Sequence, residues 1–204
     1  MDRTDKLALF YLVSFLLILL WSAIAPYDYF TWVLEVFPAV VGLVILAATY
    51  KRFRLTDMLY CLLWVHAIIL VVGGHYTYAH VPLFDWLRDA FDLERNNYDK
   101  LGHFAQGFVP AMLTREILLR KGVVSRKRPG WLFFIVLSIC MAISAWYELV
   151  EWWAALLTGE AADEFLGTQG YVWDTQSDMA LALLGAAVAL LLLARWHDRQ
   201  LDRR

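Results

Sequence analysis

Seven side chains that can do acid–base or metal chemistry recur near the ends of apolar segments in this chain. They are His75, Asp99, His103, Glu148, Glu151, Asp174 and Asp178. Imidazole and carboxylate groups together suit zinc, manganese or iron better than magnesium or calcium. Ionisable groups beside hydrocarbon are costly, so they usually mark a site, a pathway or a structural pair. The position of these seven residues in the membrane therefore decides what they can do together.

The composition of the chain predicts a membrane protein. Its 204 residues are 61% hydrophobic with a mean hydropathy of +0.53, which leaves too few polar side chains to cover a soluble surface. We expect an all-α polytopic fold with six transmembrane helices in a single domain, residues 1–204. Six stretches approach the ~17 to 25 residues that a spanning helix needs: 7–25, 32–50, 57–73, 101–119, 131–151 and 179–195. Within the fourth stretch, Arg115 is expected to extend its side chain to the nearer interface.

The basic residues orient these helices, because Lys and Arg are retained on the cytoplasmic side of membrane proteins. All but three of the 18 Lys and Arg lie in the N-terminal segment, in the connection after the second stretch, between Arg115 and Arg128, or in the C-terminal tail. The exceptions are Arg88, Arg95 and Lys100. Six spans with both termini in the cytoplasm place every basic cluster inside. Because the basic runs alternate with spans, we expect membrane lipids and no nucleic acid as partners.

Two outer connections are long enough to hold structure of their own. In the first, Pro82 can begin a short helix, in which apolar side chains from Leu83 to Phe91 share one face. We expect this helix to lie on the outer leaflet. The second connection, from 158 to 177, has several glycines and no Lys or Arg, which predicts a turn-rich cap over the site.

The same topology gathers the candidate residues at the outer face. At ~1.5 Å rise per residue, a fifth span entered at Trp131 carries Glu148 about 26 Å across a core of ~30 Å. Glu151 lies one turn further on the same helix face. The remaining candidates fall at the outer ends of their spans: His75, Asp99, His103, Asp174 and Asp178. We therefore expect one pocket that opens toward the periplasm.

So many carboxylates in a partly dehydrated pocket cannot all stay ionised and unpaired. Either shared protons or a divalent metal would neutralise them. The expected metal ligands are His75, Asp99, His103, Asp174 and Asp178. A metal there could activate water, with Glu148 or Glu151 as general base and Lys100 or Arg95 binding an anionic headgroup. This chemistry favours a hydrolase or transferase that acts on a lipid or lipid-linked envelope substrate.

Other interpretations stay open. Asp99, and either Ser177 or Asp178, precede predicted helices, where Asp and Ser commonly cap the N-terminus. Glu148 can instead form a structural pair with an outer histidine or Lys100. A small-molecule or proton-coupled transporter and a non-catalytic envelope binding or assembly protein are alternative functions. The enzyme is favoured because the polar groups cluster at one depth instead of forming a path. The sequence does not indicate the oligomeric state, since lipid-facing and helix-facing surfaces are both apolar.

Several motifs resemble known membrane families. Residues 73–78 (GGHYTY), 97–104 (NYDKLGHF) and 173–179 (WDTQSDM) resemble the bacterial inner-membrane family typified by YjdF. This resemblance covers almost the whole chain and implies a multi-pass protein of the bacterial inner (plasma) membrane, without assigning a reaction. The Asp-Lys-x-x-His-Phe pattern at 99–104 is also similar to VanZ-like membrane proteins, although Asp178 stands where their later motif has Asn. That second likeness implies a role in the cell envelope.

Overall fold

The structure is a computed structural model that describes residues 3–158 and 172–203. Over these residues the chain folds into seven helices and no strands, so the all-α prediction is confirmed. The helices are α1 (Arg3–Ser22), α2 (Tyr29–Thr49), α3 (Asp57–His75), α4 (Pro82–Ala90), α5 (Tyr98–Arg120), α6 (Pro129–Thr158) and α7 (Asp174–Leu201). Most of the predicted outer cap, residues 159–171, lies outside the described residues.

Five of the described helices are long and apolar enough to cross a membrane. They are α1 from Thr4, α2, α3, α6 as far as Ala154, and α7, which correspond to the first, second, third, fifth and sixth predicted spans. Helix α5 is not among them, because charged residues near both of its ends lower its mean hydropathy. Its 23 residues would nevertheless extend about 34 Å. The sixth span and the cytoplasmic location of both termini stay predictions.

The short helix predicted after Pro82 is confirmed as α4, which begins at that residue; its location on the outer leaflet stays a prediction. Proline suits this position because its missing N–H has no partner in the first helical turn. Leu83 and Trp86 are each 62% exposed, while Asp85 and Arg88 form an ion pair of 2.9 Å. Exposed apolar side chains beside a charged face are the features expected of a helix lying on a membrane surface.

Contacts divide the chain into two compact units, Met1–Gly102 and His103–Arg204, with the boundary inside α5. In the first unit, α1 and α2 both pack on α3. Their contact buries a small apolar core that includes Phe15, Val36 and Val71. The prediction of a single domain stays a prediction.

In the second unit, α5 and α7 approach each other at two glycines. A Cβ atom on Gly107 would overlap the carbonyl of Ala182, and one on Gly185 would overlap the carbonyl of Phe104. The two backbones are therefore in direct contact, as small residues permit between membrane helices. Because the Gly107 contact lies one turn beyond the candidate ligands on both helices, it holds those ligands close together.

At the other end of the same two helices, two side chains of α7 bind the buried Arg115 of α5. Arg115 is only 4% exposed. It donates from Nη1 to His197 Nδ1 at 2.8 Å and from Nη2 to Asp198 Oδ1 at 2.7 Å. His197 Nε2 in turn donates to Glu116 Oε2 at 2.9 Å, since a guanidinium cannot accept and Nδ1 must do so. Arg115 is thus bonded inside the protein by α7, and its expected extension to the interface stays a prediction.

Candidate functional site

His103 is the centre of the candidate site. It lies near the start of α5 and is 5% exposed. Its Nδ1 is 3.8 Å from Glu148 Oε1 on α6, and its Nε2 is 3.9 Å from Asp178 Oδ2 on α7. Three helices of the second unit thus each contribute one buried ionisable side chain. The structure brings together three of the residues that the sequence analysis placed at one depth.

The two sides of the His103 ring differ in their partners. Gln106 Oε1 lies 3.3 Å from Nδ1, on the side where Glu148 also presents an oxygen. Two oxygens facing Nδ1 favour the tautomer that carries its hydrogen there. Nε2 is then left as an electron-pair donor on the side of Asp178. This is the arrangement that a metal-binding histidine adopts, with its second ring nitrogen bonded to an oxygen acceptor.

Each ring nitrogen of His103 is too far from its carboxylate for a direct hydrogen bond, at 3.8 Å for Glu148 and 3.9 Å for Asp178. The distance between Nε2 and Asp178 is short enough for the two atoms to bind one cation. Two atoms bound at 2.0 to 2.2 Å from one metal lie roughly 3 to 4 Å apart. Asp99 precedes His103 by four residues on α5, so the two side chains lie on one helix face. Asp99, His103 and Asp178 form a His/Asp group that could hold a metal ion. We call these three residues the His103 cluster.

The other predicted site residues of α5, α6 and α7 lie within one helical turn of His103, Glu148 or Asp178. Asp174 is buried at the start of α7, four residues before Asp178. Glu151 is partly buried three residues after Glu148, and Lys100 is partly buried in the first turn of α5. The roles of Asp174 as a ligand, of Glu148 and Glu151 as bases and of Lys100 as an anion contact stay predictions.

His75 has its own partners within the first unit. Its Nδ1 lies 2.9 Å from the carbonyl oxygen of Ser22, which can only accept, and its ring centre is 4.6 Å from that of Trp21. These contacts join the end of α3 to the end of α1. The role of His75 as a metal ligand stays a prediction.

One capping interpretation is wrong. Helix α7 begins at Asp174 with Trp173 in the cap position and without a side-chain cap bond. Ser177 and Asp178 therefore lie inside the helix, because the helix starts one turn earlier than hydropathy indicates. Asp99 falls in the first turn of α5, where a capping role stays open.

Two neighbours of the site were not recognised from the sequence. Ser144 is fully buried four residues before Glu148 on α6, and its Oγ has no hydrogen-bond partner in the described part of the chain. The ring of Tyr147 meets His103 edge-on, with centres 6.1 Å apart. The four-residue spacing from Ser144 to Glu148 could have indicated that Ser144 lies near the site, since it places both residues on one helix face.

Comparisons with known proteins identify a membrane family and no reaction. A family model described as "Predicted membrane protein (DUF2238)" matches residues 7–199. "Inner membrane protein YjdF" of Escherichia coli (strain K12) is 54% identical over 187 residues, covering 92% of this chain and 88% of that relative. No solved structure matches the chain at a significant level. The five apolar helices and this relative make the chain a multi-pass protein of the bacterial inner membrane. By the extent of the match, it belongs to the DUF2238 family of membrane proteins.

Proposed function

We propose that this protein is a metal-dependent membrane enzyme, a hydrolase or transferase that acts on a lipid or lipid-linked envelope substrate. The observation that supports the proposal is the buried imidazole of His103, flanked on its two nitrogens by carboxylates from two other helices. A mixed imidazole and carboxylate set suits zinc, manganese or iron. In this proposal the His103 cluster holds the ion.

The proposed roles follow from the two sides of the imidazole. Nε2 of His103 would bind the metal together with Asp178 and Asp99. Gln106 would accept the Nδ1 hydrogen and fix the ring, while the negative charge of Glu148, 3.8 Å from Nδ1, would raise the basicity of the ring. Glu148 is then a positioning residue, and Glu151, one turn further on α6, is the better placed candidate for general base.

The substrate class follows from the level of the site in the membrane. A bound divalent ion would supply a Lewis acid and an activated water. Beside Glu151, Trp152 and Trp153 are both exposed, and exposed tryptophans mark the membrane–water interface. Lipid headgroups lie at that level, where Lys100 would contact an anionic group.

The transporter alternative is less well supported, because no polar path runs between the two ends of α5 and α7 in the described part of the second unit. Met112, Ala186 and Ala189 are fully buried between the His103 cluster and the Arg115 network. A proton or solute carrier would need polar groups or water along that interval. A confined site at one end fits chemistry on a membrane lipid better.

Metal content tests this function. Protein purified in mild detergent without chelator is expected to contain about one zinc, manganese or iron per chain, measured by inductively coupled plasma mass spectrometry. His103→Ala should lose the metal, whereas His80→Ala, at an exposed histidine of the first unit, should retain it. Glu148→Gln should weaken metal binding about 10- to 100-fold, as loss of a group that supports a metal-binding histidine does. Metal-free wild-type protein, or equal metal in both histidine variants, would contradict the proposal.

A further inference from the structure

A cavity lies at the opposite end of the second unit from the His103 cluster. It has a volume of about 700 Å³ and is lined by residues from the end of α5, the following loop and the end of α7, among them Leu119, Arg120, Val124, Arg126, Lys127 and Leu201. Position 120 follows His103 by 17 residues of one helix, which is about 25 Å. We call it the basic cavity, and it shares no residue with the proposed active site.

The basic cavity has an excess of positive charge. Among the described residues, its lining includes the basic side chains of Arg120, Arg126 and Lys127 and no acidic residue. The neighbouring carboxylates partly offset this charge. Arg126 pairs with Asp202 at 2.6 Å and with Asp198 at 3.3 Å, and these bonds use only part of its five N–H donors. A phosphate could therefore bind Arg126 without displacing either carboxylate.

The two arginines of the cavity are bonded to carboxylates that have further partners inside the protein. Glu116 is fully buried and accepts from Arg120 Nη1 at 2.7 Å, while its other oxygen accepts from His197. Asp198, which pairs with Arg126, also accepts from the buried Arg115. Cations fixed in this way lose less side-chain entropy when an anion binds. Arg120 and Arg126 are thus oriented before any anion binds.

The apolar part of the lining indicates the kind of anion. Leu119, Val124 and Leu201 lie beside the basic side chains, so the cavity offers a charged rim and an apolar wall. A free phosphate ion would use the rim alone. A phospholipid would use both, with its phosphate on the arginines and its glycerol and acyl carbons on the leucines. The predicted topology puts this end of the unit at the cytoplasmic leaflet, where basic pockets bind anionic headgroups.

We propose that the basic cavity binds the phosphate group of an anionic phospholipid. Binding is expected to prefer phosphatidylglycerol to phosphatidylcholine with the same acyl chains. Binding also joins the loop after α5 to the end of α7, and so stabilises the inner end of the second unit.

The test measures binding of fluorescent phosphatidylglycerol and phosphatidylcholine to the full chain in a neutral detergent. The double variant Arg126→Gln with Lys127→Gln removes two cavity cations. Lys51→Gln with Arg52→Gln is the matched control, because it removes the same charge from an exposed connection in the first unit. The cavity variant should lose the preference for phosphatidylglycerol by about five- to thirtyfold, the effect of one to two basic residues. The control should keep it.

Further arms separate the proposal from its rivals. Excess inorganic phosphate should fail to displace phosphatidylglycerol, and efficient displacement would overturn the lipid in favour of a soluble anion. Equal losses in the two double variants would overturn the cavity in favour of diffuse attraction to basic loops. If the double cavity variant unfolds at a lower temperature than its control, lipid binding is compared between the single variants Lys127→Gln and Lys51→Gln, because both lysines are exposed. Equal binding by those two single variants would then contradict the proposal.

Discussion

Replacing Gly107 with Ala is expected to destabilise the protein at the contact that positions the site. In an ordinary helix interior, Ala is about 1 kcal/mol more favourable than Gly. At Gly107 the added methyl group would overlap the Ala182 carbonyl, a backbone group that cannot rotate away. Overpacking of this kind costs about 1 to 3 kcal/mol. Gly42→Ala is the matched control, since Gly42 lies inside α2 and its Cβ position has nothing within 4 Å.

Both variants gain the same helix propensity, so their difference isolates the overpacking at α7. For a protein of this size, 1 kcal/mol corresponds to about 2 to 4 °C in Tm. Gly107→Ala should therefore unfold roughly 2 to 12 °C below Gly42→Ala in a thermal unfolding assay in detergent. It should also lose metal, because metal–ligand distances tolerate only about 0.2 Å and His103 lies one turn away. Equal Tm and equal metal content in the two variants would refute the proposed role of the α5–α7 contact.

Two further predictions concern the buried network around Glu116 and the membrane topology. Glu116→Gln should lower the free energy of unfolding by about 3 to 5 kcal/mol, since it removes the buried charge that faces His197 and Arg120. Thermal unfolding should show no such loss for the control Glu94→Gln, at an exposed position. A Glu116→Gln variant as stable as the wild type would contradict the buried network. Green fluorescent protein fused to the C-terminus should fluoresce, because six spans return the tail to the cytoplasm, whereas an active alkaline phosphatase fusion there would contradict the six-span topology.

The helices were predictable because their signals are local. Hydropathy over about 20 residues locates the five apolar helices, and Pro82 followed by a one-sided apolar pattern locates α4. The convergence of His103, Glu148 and Asp178 was also predictable, because helix rise and span length place them at one depth. In each case the relevant information lies within one segment or in simple membrane geometry.

The features that could not be predicted concern partners that are distant in the sequence. The burial of Arg115 is one of them, because its partner Asp198, 83 residues away, carries no signal that pairs the two. The close contact at Gly107 was missed because glycines between membrane helices produce no contrast in hydropathy. The start of α7 was placed too late because its first turn is polar and looks like a loop.

X-ray absorption spectroscopy of the metal-bound protein tests the central claim most directly, namely that His103 and carboxylates from neighbouring turns hold one ion. The predicted spectrum shows imidazole nitrogen and carboxylate oxygen at about 2.0 to 2.2 Å and no sulfur, and the imidazole signal disappears in His103→Ala. A spectrum with sulfur ligands, or an imidazole signal that persists in His103→Ala, would contradict the account.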